Sequence, residues 1–278
     1  MSLDRNNLPL IIQPEEFSEF LESSENKNDI RIVDLSSEAN FLRGHIPGAI
    51  YLPFSSLMLG QPPAPGKIPN KERLQDVFKY LGLNENTHFF VVDDEGGGWA
   101  ARLIWTLDVI GHKSFSYVDG GMLAWKAAGL ATESGTPENP YSTESVPPFE
   151  VDQNKIAQLS EIMSGLGKNE FTVWDARSPA EHSGMKALAE KAGHIPGAIN
   201  AEWTSLMDTR NGYRIRKDAK EYLDSIGIDG SLPIITHCQS HHRSAFTYLV
   251  GKSLGFDIRG YDGSWSEWGN HPDTPVEA

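Results

Sequence analysis

The sequence predicts two tandem α/β domains, each a parallel sheet flanked by helices, and three observations favour that fold class. Short apolar runs rich in β-branched residues alternate with helical patterns along both halves of the chain, as in βαβ units. The segment Gly44–Ile50 recurs without a change as Gly193–Ile199. Residues 133–148 are rich in Pro, Ser, Thr and Glu, which is the composition of a linker. We therefore expect a first domain over residues 1–132 and a second over residues 149–278.

The first half is expected to alternate strand and helix from residue 10 onwards. Pro14 and Asn70 are residue types that favour the first helical position and the N-cap, so both predict helix starts. Gly82 predicts the end of the helix that follows Asn70. The predicted strands are Leu10–Ile12, Arg31–Leu35, Phe89–Asp93 and Phe115–Val118, and further helices are predicted at Trp99–Ile110 and Met122–Ala128.

The second half repeats this order, with one insertion. We count 18 positions from Asp175 to Gly193 but only 10 from Asp34 to Gly44, so Lys186–Lys191 are expected in an inserted loop or helix. The predicted strands are Thr172–Asp175, Pro233–His237 and Ile258–Tyr261, and the predicted helices are one carrying Ile156, Leu159, Ile162 and Met163, then Ala219–Ile226, Ser244–Leu254 and Ser264–Trp268.

Composition limits the classes of function. The chain of 278 residues has a net charge of −14, with 24 Lys and Arg against 38 Asp and Glu. Nucleic acids and anionic membranes need a basic face, so neither is expected as the main partner. A single cysteine excludes an intramolecular disulfide and favours a reducing compartment. Because the N-terminus also lacks the basic-then-apolar pattern of a signal peptide, we expect a cytoplasmic protein.

That cysteine lies on a predicted strand-to-helix turn with the sequence Cys238-Gln239-Ser240-His241-His242-Arg243. Such a turn directs free amides and the positive end of the helix dipole at the loop. A thiol in that position ionises easily, with typical pKa values of roughly 3.5 to 7.5, and Arg243 adds a positive charge. A lone cysteine is often only a small buried hydrophobe. The histidines and the arginine around it instead favour a nucleophilic thiolate in an anion-binding loop.

The corresponding loop of the first copy has a different chemistry. Its sequence is Asp94-Glu95-Gly96-Gly97-Gly98-Trp99, without a thiol or an arginine. Arg177 follows the strand ending at Asp175, whereas the first copy has Ser36 at that position. We therefore expect one active domain and one structural domain. Arg177 and Cys238 both follow strand ends, so they are expected to share one edge of the sheet, with Arg177 either binding an anionic donor or paired with Glu181.

Two further interpretations concern the histidines and the repeated segment. His237, Cys238, His241 and His242 include the residue types of a zinc site, but four ligands from one short turn reach tetrahedral geometry poorly. We expect His241 and His242 to point outward and line the rim of the loop. The repeated Gly-His-Ile-Pro-Gly segments are interpreted as structural because both copies keep them.

Taken together, these motifs resemble tandem-domain rhodaneses. The resemblance is carried by the two Gly-His-Ile-Pro-Gly-Ala segments, Asp175-Ala-Arg-Ser-Pro179, the single cysteine on a six-residue loop and Tyr261-Asp-Gly-Ser-Trp-Ser-Glu-Trp268, and it covers residues 8–275. The loop itself is similar to that of the azotobacter-type thiosulfate sulfurtransferases. It departs from the Cys-Arg-Lys-Gly loop of animal thiosulfate enzymes and from the Cys-Gly-Ser-Gly loop of mercaptopyruvate enzymes.

The resemblance implies double-displacement sulfur transfer through a persulfide on Cys238, from thiosulfate or a similar anionic donor to cyanide or a thiol. It implies no metal or organic cofactor, and it allows a protein as sulfur acceptor. The residues implied in donor binding are Arg177, Gln239, Ser240, His241, His242 and Arg243.

Three alternatives stay open at the level of sequence. The donor could be 3-mercaptopyruvate. The chain could be a non-catalytic sulfur carrier or interaction module. It could also be a Cys-dependent phosphatase or arsenate reductase, because His237-Cys238 mimics the start of their loop. Against that last alternative, only four residues separate Cys238 from Arg243, whereas the phosphatase loop has five.

Overall fold

The structure is a computed structural model that describes residues 8–23, 27–136 and 138–278. The chain forms two compact units. One gathers the described residues within Met1–Leu57, Pro69–Val151 and Met207–Arg214; the other gathers Met58–Ile68, Asp152–Leu206 and Ile215–Ala278. We call Met58–Ile68 the first arm and Met207–Arg214 the second arm. Each arm belongs to the unit formed mainly by the other half of the sequence, so neither unit is a single continuous range of residues.

The first unit is a five-stranded parallel sheet with the strand order β1-β5-β4-β2-β3. The central strand β4 is buried on both faces, as expected for a parallel sheet that helices cover. The strands are β1 (Ile11–Ile12), β2 (Ile30–Asp34), β3 (Ala49–Tyr51), β4 (His88–Val92) and β5 (Phe115–Val118), and the helices are α1 (Pro14–Ser23), α2 (Glu38–Arg43), α3 (Lys71–Tyr80), α4 (Gly98–Val109) and α5 (Gly121–Ala127).

The second unit is a four-stranded parallel sheet with the order β11-β10-β6-β7. Its strands are β6 (Thr172–Asp175), β7 (Ile199–Asn200), β10 (Ile234–His237) and β11 (Ile258–Gly260). The second arm contains β8 (Met207–Asp208), which pairs with β9 (Arg214–Ile215) at the end of the arm in a separate ribbon. The helices are α6 (Leu159–Gly165), α7 (Pro179–His182), α8 (Ala219–Ser225), α9 (Arg243–Ser253) and α10 (Ser264–Trp268). The predicted fold class of two parallel sheets flanked by helices is confirmed.

Local signals in the sequence place most element ends to within a residue or two. Asn70 caps α3 as predicted, because its side chain accepts a hydrogen bond from the Arg73 amide. The helix predicted to carry Ile156 is wrong at its start, since α6 begins only at Leu159. Ile156 instead forms a parallel bridge with Gly260, so its backbone extends the edge of the sheet. The inserted residues Lys186–Lys191 form a loop.

The repeated Gly-His-Ile-Pro-Gly segments form the same clamp in each unit. His45 exchanges two backbone hydrogen bonds with Glu133, and the Glu133 carboxylate accepts from the Gly48 amide at 2.8 Å. In the second unit Glu277 does the same with His194 and with the Gly197 amide, at 2.9 Å. The clamp ties the segment between α2 or α7 and the following strand to a residue far along the chain, which is a structural role.

Each unit has its own apolar core on the sheet. Phe17, Phe90 and Trp125 pack together in the first unit, and Ile235, Tyr261 and Trp265 belong to the core of the second. No helix among the described residues combines the length and the apolar character needed to cross a membrane.

Candidate active site

The six-residue loop joins β10 to α9, at the carboxyl end of an inner strand of the second sheet. Its backbone is fastened to the start of α10. The Ser264 hydroxyl accepts from the amides of Cys238 and His241, at 3.3 and 3.0 Å, and donates to the Tyr261 carbonyl at 2.8 Å. The Cys238 carbonyl in turn accepts from the Trp265 amide at 2.9 Å. These bonds hold the loop in a fixed shape around the cysteine side chain.

Cys238 is buried, with 1% of its surface exposed, and its sulfur is surrounded by hydrogen-bond donors. The amides of Ser240 and Ser244 and the Ser244 hydroxyl donate to it. Burial by itself would raise the pKa of the Cys238 thiol, but the Arg243 charge and these donors outweigh burial, and the pKa lies below its ordinary value. The geometry therefore favours the thiolate, the nucleophilic form of the side chain.

Arg243 opens α9 and is held by a buried carboxylate. Its two terminal nitrogens donate to the two oxygens of Glu181, at 2.7 and 2.9 Å. Glu181 also closes a capping box with Ser178 at the start of α7. Burial would raise the pKa of Glu181, but hydrogen bonds from Arg243 and Ser178 and the Arg243 charge lower it to about 2. The Arg243 guanidinium is thus fixed beside the thiol rather than free to swing toward solvent.

Gln239 and Ser240 contact segments of the chain outside the loop. The Gln239 side-chain amide donates to the Leu188 carbonyl at 3.1 Å and to the Ser266 hydroxyl at 3.2 Å, so it ties the loop to the inserted segment and to α10. The Ser240 carbonyl packs against Gly66 of the first arm, so closely that a Cβ on Gly66 would lie well under 3.0 Å from it. The first arm therefore covers the loop at Ser240.

The three histidines near the thiol have different environments. His241 is buried, and its Nδ1 lies 2.8 Å from the Ser244 hydroxyl, whereas the sequence predicts this side chain at the outer rim. His242 is partly exposed and lies against the Trp203 ring, with 5.6 Å between ring centroids. Burial lowers the pKa of His237 to about 4, despite an opposing effect of Asp175, so the ring is neutral at pH 7. Among the described residues, no group of three or more His, Cys, Asp or Glu is arranged to hold a metal ion.

Arg177 follows β6, as expected, but its charge is already engaged. The guanidinium pairs with both oxygens of Asp175, donates to the Gly193 carbonyl at 2.8 Å and lies 4.2 Å from the centre of the Trp265 ring. Only 1% of the side chain is exposed. Its alternative partner, Glu181, pairs with Arg243 instead. A direct contact of Arg177 with a donor stays a prediction, and its contacts in the structure are those of a residue that braces the end of β6.

Sequence reasoning missed three residues of this site: Ser244, Ser264 and Glu181. Ser264 and Glu181 are far from the loop in sequence, so no local pattern links them to Cys238. Ser244 had a usable signal, because the first copy has Ala100 at that position and so loses the hydroxyl together with the thiol. The assembled site can hold one anionic sulfur under amide, hydroxyl and guanidinium donors.

Comparisons with known proteins identify the family of the chain. A family model described as rhodanese-like domain matches the chain twice, over residues 14–128 and 158–271. The thiosulfate sulfurtransferase of Pseudomonas aeruginosa is 48% identical over 273 residues, covering 98% of both chains. That of Azotobacter vinelandii is 44% identical over 281 residues, covering 99% of both. The crystal structure of the Tum1 protein from Saccharomyces cerevisiae has the same fold, with a TM-score of 0.81 at 21% identity over 97% of this chain and 99% of that one. The chain therefore belongs to the rhodanese family, with two rhodanese-like domains in tandem.

Proposed function

We propose that this chain is a thiosulfate sulfurtransferase in which Cys238 carries the transferred sulfur. The observation that supports it most directly is the thiol itself, buried beneath two amides, a hydroxyl and the Arg243 guanidinium, with its pKa lowered. The two full-length relatives named thiosulfate sulfurtransferases support the same donor.

The reaction follows from the chemistry of an activated thiolate. The Cys238 thiolate attacks the outer sulfur of thiosulfate, a sulfur–sulfur bond forms, and the bond to the sulfonyl sulfur breaks. Sulfite leaves with the electron pair, and Cys238 becomes an anionic persulfide. Cyanide then attacks the outer sulfur, thiocyanate forms, and Cys238 leaves as the thiolate. No oxidant or reductant is consumed across the cycle.

Five of the predicted binding residues are proposed for roles that their contacts allow. Arg243 and the Ser240 amide stabilise negative charge on sulfur, since fixed donors in a water-poor loop need no reorganisation. Gln239 and His242 shape the mouth of the loop through the inserted segment and Trp203. Arg177 acts through Asp175 by keeping the end of β6 in place.

We further propose that a small thiol or a protein accepts the sulfur and that the chain is cytoplasmic. A phosphatase activity is disfavoured, because the cation that would have to grip a phosphate is already bound bidentately by Glu181.

The test is the intact mass of the protein after addition of thiosulfate. A gain of about 32 Da that cyanide removes is expected, because one sulfur atom is held as a persulfide. Cys238→Ala should show no gain and no thiocyanate formation. A gain with mercaptopyruvate but not with thiosulfate would change the donor, and full turnover by Cys238→Ala would refute the mechanism.

A further inference from the structure

A hydroxyl in the first turn of α9 donates to the Cys238 sulfur, and a histidine of the six-residue loop lies behind that hydroxyl. Ser244 and His241 are both fully buried. The Ser244 hydroxyl donates a hydrogen bond to the Cys238 sulfur, and His241 Nδ1 lies 2.8 Å from the Ser244 oxygen. The three side chains thus form a line from ring to hydroxyl to sulfur.

The direction of the hydrogen bonds in this line follows from the number of protons. A serine hydroxyl has one proton, and here it is directed to sulfur. The Ser244 oxygen can therefore only accept from His241, which requires a proton on His241 Nδ1. The ring fixes the hydroxyl in the one orientation that serves an anionic sulfur.

The first copy shows that the two residues occur together with the thiol. Ala100 replaces Ser244, Gly97 replaces His241, and Asp94 replaces Cys238. At the His241 position the backbone lies in the left-handed region, with φ +54 against +120 at Gly97. A non-glycine residue is strained there, so the loop keeps a histidine at a position where glycine costs less.

We propose that His241 and Ser244 form a donor relay that stabilises negative charge on the Cys238 sulfur. Ser244 is the catalytic residue of the pair because it touches the reacting atom, and His241 is a positioning residue that acts through it. The relay rests on the proposed function only for the second half-reaction, where Cys238 leaves as a thiolate and the hydroxyl stabilises the leaving group.

The single cysteine makes the relay directly measurable. Alkylation by iodoacetamide reports on Cys238 alone, because the chain has no other thiol. The pH dependence of the alkylation rate gives the thiol pKa without any sulfur donor. Arg243 and Glu181, the charged pair beside the sulfur, are the same in every variant proposed here for the relay.

Ser244→Ala is expected to raise the thiol pKa by about half a unit to one unit, since one of the donors that favour the thiolate is lost. It should also slow the discharge of a preformed persulfide by cyanide about 5- to 20-fold. Ser253→Ala is the matched control. It removes a hydroxyl from the same helix that donates only to the Val250 carbonyl, and it should change neither quantity.

His241 is tested with two substitutions. His241→Gly relieves the backbone strain but removes the donor, and it should shift the pKa in the same direction as Ser244→Ala by a smaller amount. His241→Asn places a side-chain amide where Nδ1 was and tolerates the left-handed backbone, so it should retain a pKa close to that of the wild type.

Two results would overturn the relay, and a third would refute its part in catalysis. An unchanged alkylation profile in Ser244→Ala would show that the hydroxyl does not stabilise the thiolate. Should Ser244→Ala fail to fold, His241→Gly tests the same point, because a wild-type profile in that variant refutes the relay. A shifted profile with an unchanged discharge rate would refute its role in the second half-reaction. Absence of a persulfide with thiosulfate, together with the expected pKa shifts, would refute the proposed function and leave the relay intact.

Discussion

In the first copy, the loop that follows β4 closes around a carboxylate of its own chain. Asp93 Oδ1 accepts from the amides of Glu95, Gly96 and Gly97, at 3.2, 3.1 and 2.8 Å, and Oδ2 accepts from the Ala100 amide at 3.0 Å. In the second copy, the amides of Ser240 and Ser244, which correspond to Gly96 and Ala100, donate to the Cys238 sulfur instead. Both loops therefore direct amides at one acidic side chain: the Asp93 carboxyl, whose pKa burial raises to about 7, in the first copy and the Cys238 thiol, whose pKa is lowered, in the second.

A second carboxylate contact differs between the two copies at the first position of the loop, where Asp94 corresponds to Cys238. In the first copy Asp94, opposite Cys238, accepts from the Ser37 amide at 3.1 Å and the Ser37 hydroxyl at 2.9 Å. In the second copy the corresponding Ser178 amide and hydroxyl donate to Glu181, which belongs to α7 itself. The serine before the helix is therefore bound by the loop carboxylate Asp94 in the first copy and by the α7 carboxylate Glu181 in the second.

These contacts distinguish a structural loop from a reactive one. The backbone frame is common to both, so the frame alone does not make a nucleophile. Three exchanges accompany the thiol: a neutral His237 stands in place of Asp93, a carboxylate within α7 takes over the capping, and Arg243 stands in place of Trp99.

The largest expected effect on stability comes from removing the Asp93 carboxyl from the loop of the first copy. Asp93→Ala removes the acceptor of four amides, three of them in buried hydrogen bonds, and an unsatisfied buried donor costs about 1–3 kcal/mol. With partial compensation by water, we expect the free energy of unfolding to fall by about 3 kcal/mol. Urea denaturation measures it, and added formate should restore part of the loss by binding in place of the carboxylate.

The Asp93 experiment has an internal control. Asp93→Asn keeps one acceptor oxygen and should lose less stability than Asp93→Ala. Alkylation of Cys238 in either variant should keep its wild-type pH profile, because the thiol belongs to the other unit. If Asp93→Ala were as stable as the wild type and insensitive to formate, the carboxylate would not be what holds the first loop together.

A smaller effect is expected where each arm covers a loop. Gly66 of the first arm packs on the Ser240 backbone, and Met207 of the second arm lies 3.1 Å from the Cβ that Gly96 would have. Ser240 and Gly96 are corresponding positions. Gly66→Ala forces a Cβ against backbone atoms, so the arm or the loop must move, with a cost of about 2 kcal/mol in stability.

Thermal unfolding and the alkylation rate of Cys238 measure the result of Gly66→Ala. Gly44→Ala is a suitable control, because its Cβ would meet its nearest neighbour at an ordinary 3.7 Å and its backbone needs no left-handed conformation. Should Gly66→Ala match Gly44→Ala in both measurements, the first arm would have no part in shaping the reactive loop.

The features predicted from sequence were those with a local signal. Asn70 as a cap, Pro14 as a helix start and the repeated Gly-His segments all carry their cause within a few residues. Arg177 shows the limit: its position after a strand end was readable, but its pairing with Asp175 depends on both side chains being buried beside Trp265. The place of the first arm has no signal in the sequence, because Met58–Ile68 is rich in Pro and Gly and has no periodic pattern that would assign it to either sheet.

The smallest effect concerns the charge beside the thiol, where two substitutions should act in opposite directions. Arg243→Gln places an uncharged side chain where the first copy has Trp99, and it should raise the pKa of the Cys238 thiol by about one unit, or 1.4 kcal/mol. Glu181→Gln removes the charge that compensates Arg243 and should lower the thiol pKa further, by about half a unit. Because the pKa of Glu181 is lowered to about 2, its carboxylate is charged throughout the alkylation range, so the Glu181→Gln effect should not vary between about pH 5 and 9.

The stabilisation that comes from this lowered pKa is present above about pH 4.5 and is lost as the pH falls toward 2, so acid unfolding of Glu181→Gln should begin from a lower stability but fall less steeply. Shifts of the Cys238 thiol pKa with the same sign in Arg243→Gln and Glu181→Gln would show that Arg243 acts on the thiol by packing rather than by its charge.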